Sequence, residues 1–144
     1  GKTIALAESC TGGLIGHLLT QVPGSSDYLR GGVIAYSYEA KENLLSVKKE
    51  TLDQFGAVSE ETVVEMASGA RELFASDLAI AVTGIAGPCS DRSDKPIGLT
   101  WLAVSTQEST LTESHIWKGN RSENKQKSAE AALVLLLHSL GEVA

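Results

Sequence analysis

Short apolar runs of strand length alternate with stretches that carry the helical period, and this alternation sets the fold class before any single residue is considered. The first run, Thr3–Ala7, is ended by Glu8-Ser9 and reads as a buried strand. Leu14, Ile15, Leu18, Leu19 and Val22 then recur at helical spacing, which predicts a helix over Thr11–Val22, stopped by Pro23-Gly24-Ser25-Ser26. Gly31-Gly32 leads into a second strand, Val33–Tyr36. Helical segments follow at Glu39–Val47 and Lys49–Phe55, and Ser59 with Glu60 and Glu61 marks another helix start. The apolar face of that helix comprises Val63, Met66, Ala67, Ala70 and Phe74. Leu78–Val82 reads as a further buried strand, Leu99–Ser105 and Leu111–Lys118 as a hairpin. A last helix is expected over Ser122–Leu140 with Leu133, Leu136, Leu137 and Leu140 turned inward. Strand–helix alternation favours parallel pairing with helices on both faces, and the late hairpin adds an antiparallel part. The expected fold is a three-layer α/β/α sandwich around a mixed, mostly parallel sheet of about five strands.

The 144 residues amount to one domain, large enough to bury a core without disulfide or metal staples. A net charge of −6 argues against nonspecific nucleic-acid binding, which needs a basic surface. It leaves room for a small anionic ligand held by local basic groups. The apolar runs fall short of the ~20 residues that cross a bilayer, and no signal peptide is visible. Two cysteines, Cys10 and Cys89, form no CxxC pair and suit a reduced, cytoplasmic setting. His17, His115 and His138 fall in no metal-ligand spacing, so no metal site and no cofactor are expected.

In open α/β sheets, sites form where strands end and helices begin, and three such loops stand out. In Glu8-Ser9-Cys10-Thr11-Gly12-Gly13 a hydroxyl lies beside the unpaired N–H groups of a helix start, a geometry that serves a nucleophile and an oxyanion hole together. The same residues also suit a plain helix cap with a tight turn. Cys10 is a rival nucleophile if the helix start lowers its pKa, or else a buried structural thiol. In Tyr36-Ser37-Tyr38-Glu39-Ala40-Lys41, a partly desolvated Lys41 can lose its proton near neutral pH and activate a serine; equally, it can be a surface lysine. In Thr83-Gly84-Ile85-Ala86-Gly87-Pro88, the glycines allow close approach of backbone to a ligand and Thr83 offers a donor, though a simple turn would read the same. Arg121, ahead of the last helix, is a candidate anion clamp.

The ordered set of these motifs resembles the CinA carboxy-terminal-domain family, which includes the stand-alone nicotinamide mononucleotide deamidases of the PncC type. The resemblance runs from Ala7-Glu8-Ser9-Cys10-Thr11-Gly12-Gly13 through Pro23–Ser26, Gly32–Ser37 and Ala40-Lys41. It continues over Gly56–Glu60, Met66-Ala67 and Thr83–Pro88 to Lys95–Gly98 and Gly119-Asn120-Arg121. It implies hydrolysis of the carboxamide of nicotinamide mononucleotide to nicotinic acid mononucleotide and ammonia, with Ser9 as nucleophile and Lys41, directly or through Tyr36, as base. It further implies ligand contacts from Cys10, Thr11, Gly12, Thr83, Gly84 and Gly87, with Arg121 on the phosphate, and self-association into homo-oligomers. Three departures are visible. Cys89–Asp94 replaces a glycine-bearing loop, Asn120 stands where an acid is usual, and the family's leading helix has no counterpart ahead of Gly1. A non-catalytic nucleotide-binding or competence-linked interaction module is the alternative reading.

Overall fold

The computed structural model describes residues 1–142. Five strands form one sheet: β1 (Ile4–Glu8), β2 (Leu29–Ile34), β3 (Leu78–Gly84), β4 (Leu99–Ser105) and β5 (Thr110–Ile116). Their spatial order is β2-β1-β3-β4-β5. β1 pairs in parallel with both β2 and β3, and β4 is antiparallel to both of its neighbours. Four strands therefore point one way and only β4 is reversed, which gives the expected mixed, mostly parallel sheet. Five helices cover it: α1 (Leu14–Thr20), α2 (Tyr38–Leu45), α3 (Lys49–Phe55), α4 (Glu60–Leu73) and α5 (Arg121–Ser139).

The two faces of the sheet carry different side chains. Side chains alternate along a strand, so β1 turns Ile4 and Leu6 to one face and Ala5 and Ala7 to the other. In β3 and β4, likewise, Leu78, Ile80, Val82, Leu102 and Val104 meet α1 and α5. Ala79, Ala81 and Ala103 meet Leu45 of α2, Leu52 of α3, and Val63, Met66, Ala67 and Ala70 of α4. Every one of these residues is buried, and each fully buried large aliphatic side chain contributes on the order of 1.5–3 kcal/mol. The alanine face receives α4, which packs against β1, β3 and β4, and the bulky face receives α1 and α5.

Several boundaries differ from the sequence reading. α1 starts at Leu14, not Thr11, because Gly12 (φ 61°) and Gly13 (φ 104°) adopt left-handed backbone that a helix cannot contain. β2 begins at Leu29, takes Gly31-Gly32 into the strand, and ends before Tyr36. Helix α1 ends at Thr20 rather than Val22, and Val22 beyond it is 55% exposed. The inward face of α5 is Asn124, Ser128, Ala129, Ala132, Leu135 and Leu136. Leu137 and Leu140 are turned out, because the small residues of the inner stripe hold the helix against β4, and Leu133 packs at its margin. No helix among the described residues is long and apolar enough to cross a membrane.

Candidate active site

Strand register assembles the site. Glu8 is level with Ile34 of β2 and Val82 of β3, so Ser9 and Ala35, just past the carboxyl ends of β1 and β2, stand beside Thr83 near the end of β3. The Ser9 N–H donates to the Val82 carbonyl (3.1 Å) and the Ala35 N–H to the Glu8 carbonyl (2.8 Å), which ties the three loops at their roots. A cavity of about 380 Å³ opens above them, lined by Ser9, Cys10, Lys41, Thr83, the Gly84–Gly87 segment and, toward its mouth, Tyr36, Tyr38, Cys89 and Arg121.

Ser9 and Lys41 meet at its floor. Lys41 Nζ donates to Ser9 Oγ (3.1 Å) and to the Ala35 carbonyl (2.7 Å). The lysine is 1% exposed, and both of its hydrogen-bond partners are neutral. Burial of the ammonium lowers its pKa from 10.5 to about 8, so the neutral amine is accessible near physiological pH. An amine that donates to Ala35 keeps its lone pair for the Ser9 hydroxyl proton. Lys41 reaches this position because Ser37 caps α2, accepting from the Ala40 N–H (3.0 Å), and Lys41 lies in the first turn of that helix.

Cys10 stands in the cavity wall, but burial pushes its thiol up to about 12. It remains protonated at neutral pH and is a poor nucleophile there. Tyr36 lies at the rim, 61% exposed, and its hydroxyl accepts from Arg121 Nη2 (3.1 Å) rather than facing Lys41. Arg121 Nη1 donates to the Gly87 carbonyl (2.6 Å), so the arginine joins the second loop to the third across the mouth. The Thr83 hydroxyl donates to the Ala57 carbonyl (2.9 Å), which leaves it only acceptor capacity toward a ligand. Gly84 is packed so tightly that a Cβ would stand 2.7 Å from Thr100 Oγ1 and 2.9 Å from the Leu99 carbonyl oxygen. Thr11 and Gly12 lie outside the cavity lining: the Thr11 hydroxyl donates to Glu8 (2.6 Å), and the Gly12 N–H to the Ser9 carbonyl (3.0 Å). No group of three or more His, Cys, Asp or Glu able to hold a metal occurs among the described residues.

Two functional positions were not singled out in the sequence. Glu8, 3% exposed, accepts from Thr11 Oγ1, the Ile15 N–H (2.9 Å) and the Gly16 N–H (3.0 Å), and so fastens the nucleophile turn to α1. Its signal was available: a carboxylate ending an apolar strand, a few residues ahead of a helix start that lacks its own cap. Asn124 of α5 donates to the Ala86 carbonyl (3.0 Å) from a fully buried position, and nothing in the local sequence marks it. Asn120, the departure noted in the late motif, caps α5 in a reciprocal pair with Glu123, a role in which asparagine equals aspartate.

Residues 1–140 match the family described as the CinA C-terminal domain. A CinA-like protein of Chlorobium phaeobacteroides is 46% identical over 145 residues, covering 97% of this chain and 34% of the relative. One from Endomicrobium trichonymphae is 45% identical over 139 residues, covering 96% and 32%. The chain thus spans about a third of the length of these curated relatives. Among solved structures, the competence damage-inducible protein A (ComA) of Klebsiella pneumoniae superposes with a TM-score of 0.95 at 36% identity, covering 100% of this chain and 89% of that one. The competence/damage inducible protein CihA of Agrobacterium tumefaciens gives 0.92 at 39% identity, covering 96% and 85%.

Proposed function

The chain belongs to the CinA C-terminal domain family, and from that premise we propose that it is an amidohydrolase that deamidates nicotinamide mononucleotide through Ser9. The observation that carries this reading is the Ser9–Lys41 contact: a hydroxyl 3.1 Å from a fully buried amine whose ammonium form is disfavoured by burial. A module that only binds a nucleotide has no use for a desolvated lysine aimed at a serine.

In the proposed sequence Ser9 Oγ attacks the carboxamide carbon as its proton passes to Lys41 Nζ. The carbonyl oxygen takes up the negative charge. The N–H of Cys10, which lines the cavity and makes no backbone hydrogen bond among the described residues, is the proposed donor to it. Lys41 then returns the proton to the departing nitrogen, the C–N bond breaks, and ammonia leaves an acyl ester on Ser9. Water attacks that ester as Lys41 takes its proton, and Lys41 hands the proton to Ser9 Oγ as the C–O bond to Ser9 breaks, releasing the acid and restoring the hydroxyl and the neutral amine. Arg121 at the mouth serves the nucleotide phosphate, and the close-packed Gly84–Gly87 backbone forms the wall against which the ring lies.

The test is ammonia release from nicotinamide mononucleotide, run beside free nicotinamide and glutamine. Turnover is expected with the mononucleotide, and Ser9→Ala should lower it by about a thousandfold or more. Ser9→Ala protein that turns over at the wild-type rate would remove the nucleophile assignment. Saturable binding of the mononucleotide with no ammonia from the wild type would carry the non-catalytic module instead.

A further inference from the structure

The wall formed by the third loop has no regular structure of its own beyond β3, and it is held by side chains from α5. Asn124 is 2% exposed. Its Nδ2 donates to the Ala86 carbonyl (3.0 Å), and its Oδ1 accepts from the Gly119 N–H (3.0 Å). This orientation of the amide is the only one compatible with both neighbours, since a backbone N–H can only donate and a carbonyl can only accept. One turn earlier, Arg121 grips the next carbonyl, Gly87. The capping pair of Asn120 and Glu123 fixes the start of the helix that carries both. Ala86 and Gly87 line the cavity; Asn124 does not, and touches it only through them.

We infer that Asn124 is a positioning residue, which sets where the Ala86–Gly87 wall stands relative to Ser9 and so governs the affinity for the ligand rather than the rate of bond breaking. Opposite Ala86, the loop is held by the Ile85 N–H to the Leu99 carbonyl (2.9 Å) and the Gly98 N–H to the Ile85 carbonyl (2.7 Å). Removing the Asn124 tie therefore loosens the wall on its α5 side, where the Arg121 bond to Gly87 is left, without unpairing β3 from β4. The inference rests on the cavity being the substrate site, as proposed above.

Asn124→Asp keeps the acceptor for Gly119 but turns an oxygen toward the Ala86 carbonyl. Asn124→Leu removes both bonds without introducing a charge, and serves if the aspartate variant does not fold. Ser76→Ala is the control: Ser76 is also buried and bonded to backbone (Oγ to the Leu78 carbonyl, 2.8 Å), but at the opposite end of the sheet. The Asn124 variants should raise KM for ammonia release from nicotinamide mononucleotide about tenfold or more, with kcat within about threefold of wild type. Hydrogen exchange over residues 84–98 should quicken about tenfold while that over 60–73 stays as in the wild type. Ser76→Ala should lose Tm with neither effect. A Tm loss alone, with KM and exchange over 84–98 unchanged, would make Asn124 merely structural and overturn the inference. The exchange measurement needs no substrate, so it tests whether Asn124 holds the wall even if the wild type releases no ammonia, a result that would defeat the amidase reading on its own; unchanged exchange over 84–98 would overturn the positioning role.

Discussion

At the scale of single residues, the feature with the widest consequences is the lysine without a counter-ion. Lys41 is buried against a hydroxyl and a carbonyl, and its pKa of about 8 makes the neutral form the working base. The rate of ammonia release should therefore rise with pH and level off above about 8, an acid limb visible in kcat/KM against pH. Lys41→Met should abolish turnover yet leave a folded protein, because exchanging a buried cation for an apolar chain of similar length removes a desolvation penalty. Its Tm at pH 7 should equal or exceed that of the wild type, offset only by the hydrogen bond lost at Ala35. Cys10 is the contrasting case. With its thiol pushed up to about 12, Cys10→Ala should keep ammonia release within about tenfold of wild type, with a stability loss of about 1 kcal/mol from the vacated volume. A dead Cys10→Ala protein beside an active Ser9→Ala would exchange the roles of the two neighbours.

At the scale of elements, the position of Lys41 depends on how closely α2 approaches α4. Gly69, in the middle of α4, faces the end of α2 so tightly that a Cβ would lie 1.8 Å from the Leu45 carbonyl oxygen. Both partners are backbone, so neither can step aside as a side chain would. Gly69→Ala should cost at least about 2 kcal/mol and push α2 outward, and any folded fraction should lose ammonia release as Lys41 withdraws from Ser9. Thermal unfolding together with activity per folded molecule checks this. A second element-scale device is Glu8, whose carboxylate does for α1 what a capping side chain would do. Glu8→Ala leaves the Thr11 hydroxyl and two N–H groups without their acceptor, and a loss of about 2–4 kcal/mol is expected, measured by denaturant unfolding.

For the molecule as a whole, Lys41 links site chemistry to global stability. Its folded pKa of about 8 lies below the ordinary 10.5, so between these values the unfolded chain holds more protons. Its penalty is full below pH 8, about 3 kcal/mol, and fades as pH rises toward 10.5. The stability gap between Lys41→Met and wild type should accordingly narrow by roughly 2 kcal/mol from pH 7 to pH 9.5, read from denaturant unfolding at both. A constant gap would mean that Lys41 is not desolvated in the folded state. The sandwich provides the setting: an alanine face that takes α4, with α2 packed against it, and a bulky face that anchors α5, from which Arg121 and Asn124 reach over to the third loop.

The sequence by itself determined the layers, the strand–helix order and the three loops at the strand ends. Those features follow from local periodicity and turn chemistry, which each short segment expresses without its neighbours. It also brought Ser9, Lys41 and Arg121 forward as candidates, through residue types set at strand ends and helix starts. Only the tertiary structure decided that Lys41 is buried rather than solvated, that it faces Ser9 while Tyr36 faces Arg121, and that Thr11 serves Glu8 instead of the cavity. Only the tertiary structure, again, turned Leu137 and Leu140 outward and gave Asn124 its partner 38 residues away. Burial and hydrogen-bond pairing depend on which elements meet, and strand register and the approach of α2 to α4 are properties of the assembled chain. A pKa that depends on desolvation exists only once that assembly has removed the water.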